Sequence, residues 1–162
     1  MKPINCKIQD FYTQTGVGDG FNVMWKYGAG NHTQTAYRID IYENGTPVYS
    51  TGKVMSGEQN NIEISISLNE QTEYGFTVTA WDENGKAEMS EKAYFITGVR
   101  EWRGEWIGNG TKKPFIARKA FNTCDGEKAI LSVCVPGQFE IKINSQYKKT
   151  PALQSEFLYC RY

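Results

Sequence analysis

The sequence holds a single histidine, His32, and four cysteines, Cys6, Cys124, Cys134 and Cys160, none of them in a C-x-x-C pair. Zinc requires His and Cys ligands at close, repeated spacing, so this pattern argues against a metal centre. Four cysteines are also too few to staple a chain of 162 residues, and buried free thiols are the expected state. Charge of one sign is missing as well: 18 Lys and Arg balance 18 Asp and Glu, and no run of like charges occurs. Binding nucleic acid takes a basic surface, and docking on anionic lipid takes a polybasic patch, so neither partner is expected. No stretch approaches the roughly 18 apolar residues of a membrane span. The opening Met1-Lys2-Pro3-Ile4-Asn5-Cys6 has no apolar core of a secretory leader. Two compartments stay open: the cytoplasm or, if a leader has been removed, the periplasm or the exterior.

What the chain does have is aromatic residues, ten Tyr, eight Phe and four Trp, set in short alternating segments. Phe21, Val23, Trp25 and Tyr27 share one face of a segment, and Tyr37, Ile39 and Ile41 share another. Ile62, Ile64, Ile66 and Leu68 alternate with polar residues; Tyr74, Phe76, Val78 and Ala80 alternate with Gly75, Thr77, Thr79 and Trp81. A period of two predicts half-buried strands. Asn44-Gly45 and Asn84-Gly85 sit between such runs, and Asn-Gly accepts the positive φ angles of a tight hairpin. No segment sustains a helical period. Seven strands fit before Gly98, at about 6–12, 21–27, 36–42, 46–52, 61–66, 73–81 and 87–96, the spacing of a β-sandwich.

The pattern changes at Thr97-Gly98. Residues 1–98 read as one sandwich, 99–114 as a tryptophan-containing linker, and 115–162 as the start of a second sandwich. Strand patterns resume at Phe115–Phe121, Ala129–Val135 and Gln138–Asn144. A full sandwich takes about 100 residues, so the second one is expected to be incomplete. The apolar, strand-like Phe157-Leu158-Tyr159-Cys160-Arg161-Tyr162 reads as a cut inside that domain. A half-built sandwich leaves open strand edges, and pairing of those edges between copies is expected.

Trp25 in the second strand, and Leu68 followed by Thr72-Glu73-Tyr74, resemble a fibronectin type III (immunoglobulin-like) sandwich, in which Tyr74 would be the corner tyrosine tied back to nearby backbone. A longer series is more specific: Trp81-Asp82-Glu83-Asn84-Gly85, Tyr94-Phe95-Ile96-Thr97-Gly98 and Trp102-Arg103-Gly104-Glu105-Trp106-Ile107-Gly108, in that order. With Thr35–Ile39, Ser50–Val54, Ile116–Phe121 and Phe139–Asn144, it resembles the N-terminal region of bacterial α-L-rhamnosidases over about residues 33–146. Ala117 stands where a Phe is usual, and Ser145 where the hairpin Gly is usual. The resemblance implies a noncatalytic accessory portion of a multidomain inverting glycosidase; a carbohydrate-binding module and a general β-sandwich protein-interaction module are the alternative readings. The glycosidase's catalytic carboxylates would lie in a C-terminal helical toroid outside this chain, and the parent's remaining domains would be the partners.

Each candidate site also has a plainer reading. Glycoside hydrolysis needs two carboxylates across a cleft. Asp82 and Glu83 flank a turn, where Asp bonds its own backbone, and Glu101 and Glu105 lie in the linker, so no catalytic residue is assigned. His32 sits in a glycine-rich loop with no nucleophile motif around it. Gly16-Val17-Gly18-Asp19-Gly20 precedes a strand, not the helix a phosphate cradle requires, and reads as a flexible connection. Trp25 belongs to the core. Trp81 faces away from the Tyr74, Phe76, Val78 row, and Trp102 and Trp106 are four residues apart. Together Trp81, Trp102 and Trp106 suit a structural joint between the two β units, or a platform stacking rhamnose-containing carbohydrate.

Overall fold

A computed structural model describes residues 2–9, 14–28, 32–111, 113–120, 130–135 and 139–148. The expected strand at Phe157–Tyr162, together with Cys124 and Cys160, lies outside the described residues. The chain divides into two compact units, Met1–Val99 and Arg100–Tyr162.

All regular structure among the described residues is β. The first unit contains β1 (Pro3–Ile8), β2 (Thr15–Val17), β3 (Phe21–Tyr27), β4 (Gln34–Glu43), β5 (Thr46–Ser50), β6 (Ile62–Ile64), β7 (Glu73–Asp82), β8 (Ala87–Met89) and β9 (Ala93–Thr97). One sheet runs β1-β3-β6; the other runs β2-β9-β7-β4-β5, with β8 paired to β7 beyond β9. The core is built from the alternating residues: Val23 and Trp25 of β3 and Ile64 of β6 from one sheet; Ile39, Ile41, Tyr74, Phe76, Val78 and Phe95 from the other, all buried. Phe95 lies 5.1 Å from Phe21 and 5.6 Å from Tyr74, so aromatic contacts join the layers at its centre. This is an all-β, immunoglobulin-like sandwich.

The structure departs from the sequence pattern in several places. The glycine-rich connection at 16–20 is partly a strand: β2 pairs in parallel with β9 and buries Val17. Three residues are too few to show a period, so the pairing partner, not the local pattern, makes this a strand. The first strand begins at Pro3 and ends at Ile8, with a bulge near Asn5, whose φ is +52°. The expected 87–96 strand is two strands separated at Ser90. The Ser90 amide and hydroxyl instead bond the carbonyl and amide of Val78. The two Asn-Gly turns also differ. Asn44 and Gly45 both take positive φ, whereas in the second turn Gly85 alone does, and Gly85 N donates to Asp82 O at 3.0 Å. The first is a two-residue primed turn; the second carries the single left-handed residue of a longer hairpin loop.

Tyr74 closes the corner. Its Oη accepts a hydrogen bond from Asn69 N at 2.9 Å and reaches Glu43 Oε2 at 3.4 Å. In the second unit the described strands are β10 (Ile141–Ile143) and β11 (Gln146–Lys148), an antiparallel hairpin. Asn144 and Ser145 take φ of +49° and +66° at its turn, so Ser145 occupies the left-handed position usual for Gly. Residues 115–120 and 130–135 are not in strands, and Ile116 is 96% exposed. Neither segment enters a strand pairing among the described residues.

Candidate functional site

Asp40, Asp82 and Glu83 of the first unit are engaged in building it. The Asp82 side chain is buried, and its Oδ1 accepts from Asn84 N at 3.0 Å and Lys86 N at 2.9 Å, holding the turn. Glu83 accepts from Thr33 N at 2.7 Å and meets His32 Nδ1 at 3.2 Å. Bonds from its own amide, from Thr33 and from His32 hold the Glu83 carboxyl below its usual range. A carboxyl tuned in that direction stays ionised and is a poor proton donor at neutral pH. Asp40 Oδ2 pairs with Arg38 Nε at 2.8 Å, while its Oδ1 accepts from Ser50 Oγ at 2.6 Å.

A shallow, open depression is lined by Asp19, Gly20, Ser65, Ile66 and Ser67. It holds one carboxylate, and Asp19 Oδ1 already accepts from Leu68 N. No facing pair of carboxylates lines it, so the depression lacks the acid and base of glycoside hydrolysis. Among the described residues no group of three His, Cys, Asp or Glu side chains is placed to hold a metal ion. Cys6 and Cys134 are free thiols, but against expectation Cys134 is exposed and Cys6 only partly buried; burial still pushes the Cys6 thiol above its usual range, the direction of an inert one.

The tryptophans sit in three settings. Trp25 is buried, edge-on to Tyr37 at 5.3 Å, with its indole N–H near Gln34 Oε1 and Tyr27 Oη at 3.3 Å. Trp81 lies on the outer side of β7, beside Ala36 and Ala87, and the Lys53 ammonium caps its ring at 4.6 Å. It is half-buried, with one ring face occupied by a cation. In the second unit Trp102 is 42% exposed and Trp106 74%.

A feature not singled out in the sequence accompanies Trp81. Gly75, Thr77 and Thr79 face the same way along β7, and beside them stand Arg38, Asp40 and Tyr42 of β4, Met89 of β8 and Tyr94 of β9. The Lys92 ammonium lies 4.4 Å over the Tyr42 ring, and its stem crosses Gly75, where an added Cβ would meet Lys92 Cδ at 2.8 Å. The signal for this layer was the row of small residues in an otherwise bulky strand.

An immunoglobulin-like sandwich is the class these observations define. The family description "Rha78A-like, N-terminal immunoglobulin domain" matches residues 5–101. The chain belongs to this family of Rha78A-like N-terminal immunoglobulin domains.

Among solved structures, the chain is similar to the α-L-rhamnosidase from Dictyoglumus thermophilum: 24% identity and a TM-score of 0.58, covering 85% of this chain and 15% of that one. It is also similar to the Streptomyces avermitilis α-L-rhamnosidase complexed with L-rhamnose, at 20% identity and a TM-score of 0.54, covering 60% of this chain and 10% of that one. Both are likenesses of fold, and the chain spans only 10% and 15% of the two enzymes' lengths. No curated protein matches it.

Proposed function

We propose that the chain is a noncatalytic front portion of an α-L-rhamnosidase-type glycoside hydrolase, serving as a scaffold for the parent's other domains. The observation that carries this reading is the family match over residues 5–101 in a unit whose depression holds a single, already bonded carboxylate. The parent's hydrolysis of terminal α-L-rhamnose would then be done by residues outside these 162. Incubating the pure chain with an aryl α-L-rhamnoside is expected to release no product; repeated turnover would overturn the noncatalytic assignment. Sequencing the natural gene past Tyr162 is expected to find a helical domain with paired acids, and a stop codon there would overturn the parentage.

Within this reading, residues 1–98 are the sandwich, 99–114 the linker and 115–162 the start of the next β domain. Trp81, Trp102 and Trp106 act as a joint between β units, supported by the 42% and 74% exposure of the two linker indoles, which leaves apolar surface for a partner to cover. Trp106→Ala is expected to loosen interdomain docking in the parent protein, read as faster hydrogen exchange around the linker, with rhamnoside affinity unchanged. Loss of binding to a rhamnose-containing glycan in that variant would favour the sugar platform instead.

A further inference from the structure

The outer face of the larger sheet carries more chemistry than a solvated sheet face requires. Along β7 the outward residues Gly75, Thr77 and Thr79 are small, while Arg38, Asp40, Tyr42, Met89 and Tyr94 on the adjoining strands are large. Thr77 and Thr79 are 4% and 7% exposed, and their hydroxyls have no hydrogen-bond partner. Buried hydroxyls almost always have partners, so two unsatisfied neighbours on one strand call for an explanation.

Long side chains stand beside this row. The Lys92 stem crosses Gly75, and Met89, beside Thr79, is 54% exposed. Tyr94 next to Gly75 is 56% exposed, an uncapped aromatic ring at the rim. Charge on this side is unbalanced. Asp40 is held by Arg38 and Ser50, and Glu73, at the start of β7, has a partner of its own. The ammonium groups of Lys53 and Lys92 are held only over the Trp81 and Tyr42 rings, and among the described residues neither forms an ion pair.

We infer that this face binds an oligosaccharide bearing carboxylates. The Tyr94 ring stacks on an apolar sugar face. Lys53 and Lys92 answer the carboxylates. The Thr77 and Thr79 hydroxyls and the Arg38–Asp40 pair take sugar hydroxyls, which donate and accept alike, once the stem of Lys92 swings aside. An acidic protein segment would offer the same carboxylates but no apolar sugar face for the exposed Tyr94 ring, so the ring favours the sugar. The inference concerns the first unit and stands whether or not a catalytic domain accompanies it.

The test is an NMR titration of the full chain with an oligogalacturonate, a neutral oligogalactoside of equal length and a polyglutamate peptide. The oligogalacturonate is expected to shift the amides of Thr77, Thr79, Lys92 and Tyr94, to bind more tightly than the neutral sugar, and to weaken at about 1 M salt, where the Debye length is about 3 Å. Tyr94→Ala is expected to weaken it about fivefold, and Lys92→Ala about threefold. Thr79→Val is expected to weaken it while leaving the melting temperature of the free chain unchanged or higher, since the hydroxyl it removes is unsatisfied. No shift with the oligogalacturonate, equal binding of the neutral sugar, tighter binding of polyglutamate, or shifts confined to the Asp19–Ser67 depression would each overturn the proposal.

Discussion

The two units use the same local code with different results. In the first, alternating residues of β3, β4 and β7 face a second layer, and Trp25, Ile39, Phe76 and Val78 are all but fully buried. In the second, the alternating Phe115–Ala120 segment stays out of any strand, and the described pairing is one three-residue hairpin, β10 with β11. Alternation marks a strand's two faces but supplies no hydrogen-bonding neighbour and no opposing layer; strand formation comes from those. Asn144 and Ser145, both at positive φ, form the turn that joins β10 to β11.

Removing the first unit's advantage is the strongest way to break this comparison. Trp25→Ala deletes the largest fully buried side chain and leaves a cavity between the sheets, which is expected to cost about 3–5 kcal/mol. In thermal unfolding, the first unit's transition should fall steeply. In hydrogen exchange on the unaltered chain, the amides of Ile39 and Val78 should be protected far more than those of Ile141–Ile143. Equal protection in a strictly monomeric sample would show that the second unit finds its own covering layer.

The sequence made the sandwich legible because its longest strands are also its most periodic. Ile39 and Ile41 in β4, and Tyr74, Phe76 and Val78 in β7, alternate without interruption, and these two strands pair over nearly their full length. The corner role of Tyr74 was legible from Leu68 and Thr72-Glu73. What escaped was set by neighbours distant in sequence. β2 is a strand because β9 lies alongside it, and the break at Ser90 follows from its bonds to Val78. The outer face of β7 was half legible: the row Gly75, Thr77, Thr79, Trp81 was visible, but Lys53 and Lys92, each remote from the ring it caps, were not. The roles of Asp82 and Glu83 were readable from the turn they flank, whereas the second turn's use of Gly85 alone was not.

A smaller effect sharpens the contrast between core packing and local bonding. Tyr74→Phe keeps the ring contact with Phe95 but removes the oxygen that accepts from Asn69 N. It is expected to lower stability by about 1–2 kcal/mol, clearly less than Trp25→Ala. A loss as large as that of the tryptophan variant would mean that the corner, not the aromatic core, holds the two layers together.

The smallest expected effect lies on the surface of the same unit. Glu88 pairs with Lys86 at 2.7 Å, the largest of the influences that hold its carboxyl down to about 2, from an ordinary 4.5. Because the folded value is the depressed one, whatever stability the pair contributes is present above pH 4.5 and is lost as the pH falls from 4.5 toward 2. The Lys86 ammonium moves the opposite way, raised by the same partner. Both groups are well solvated, so global stability should hardly respond, and the titration itself is the measurement. Following the Glu88 carboxyl by NMR should give a midpoint near 2, and Lys86→Ala should move that midpoint upward. A midpoint near 4.5 in the unaltered chain would mean that solvent separates the pair.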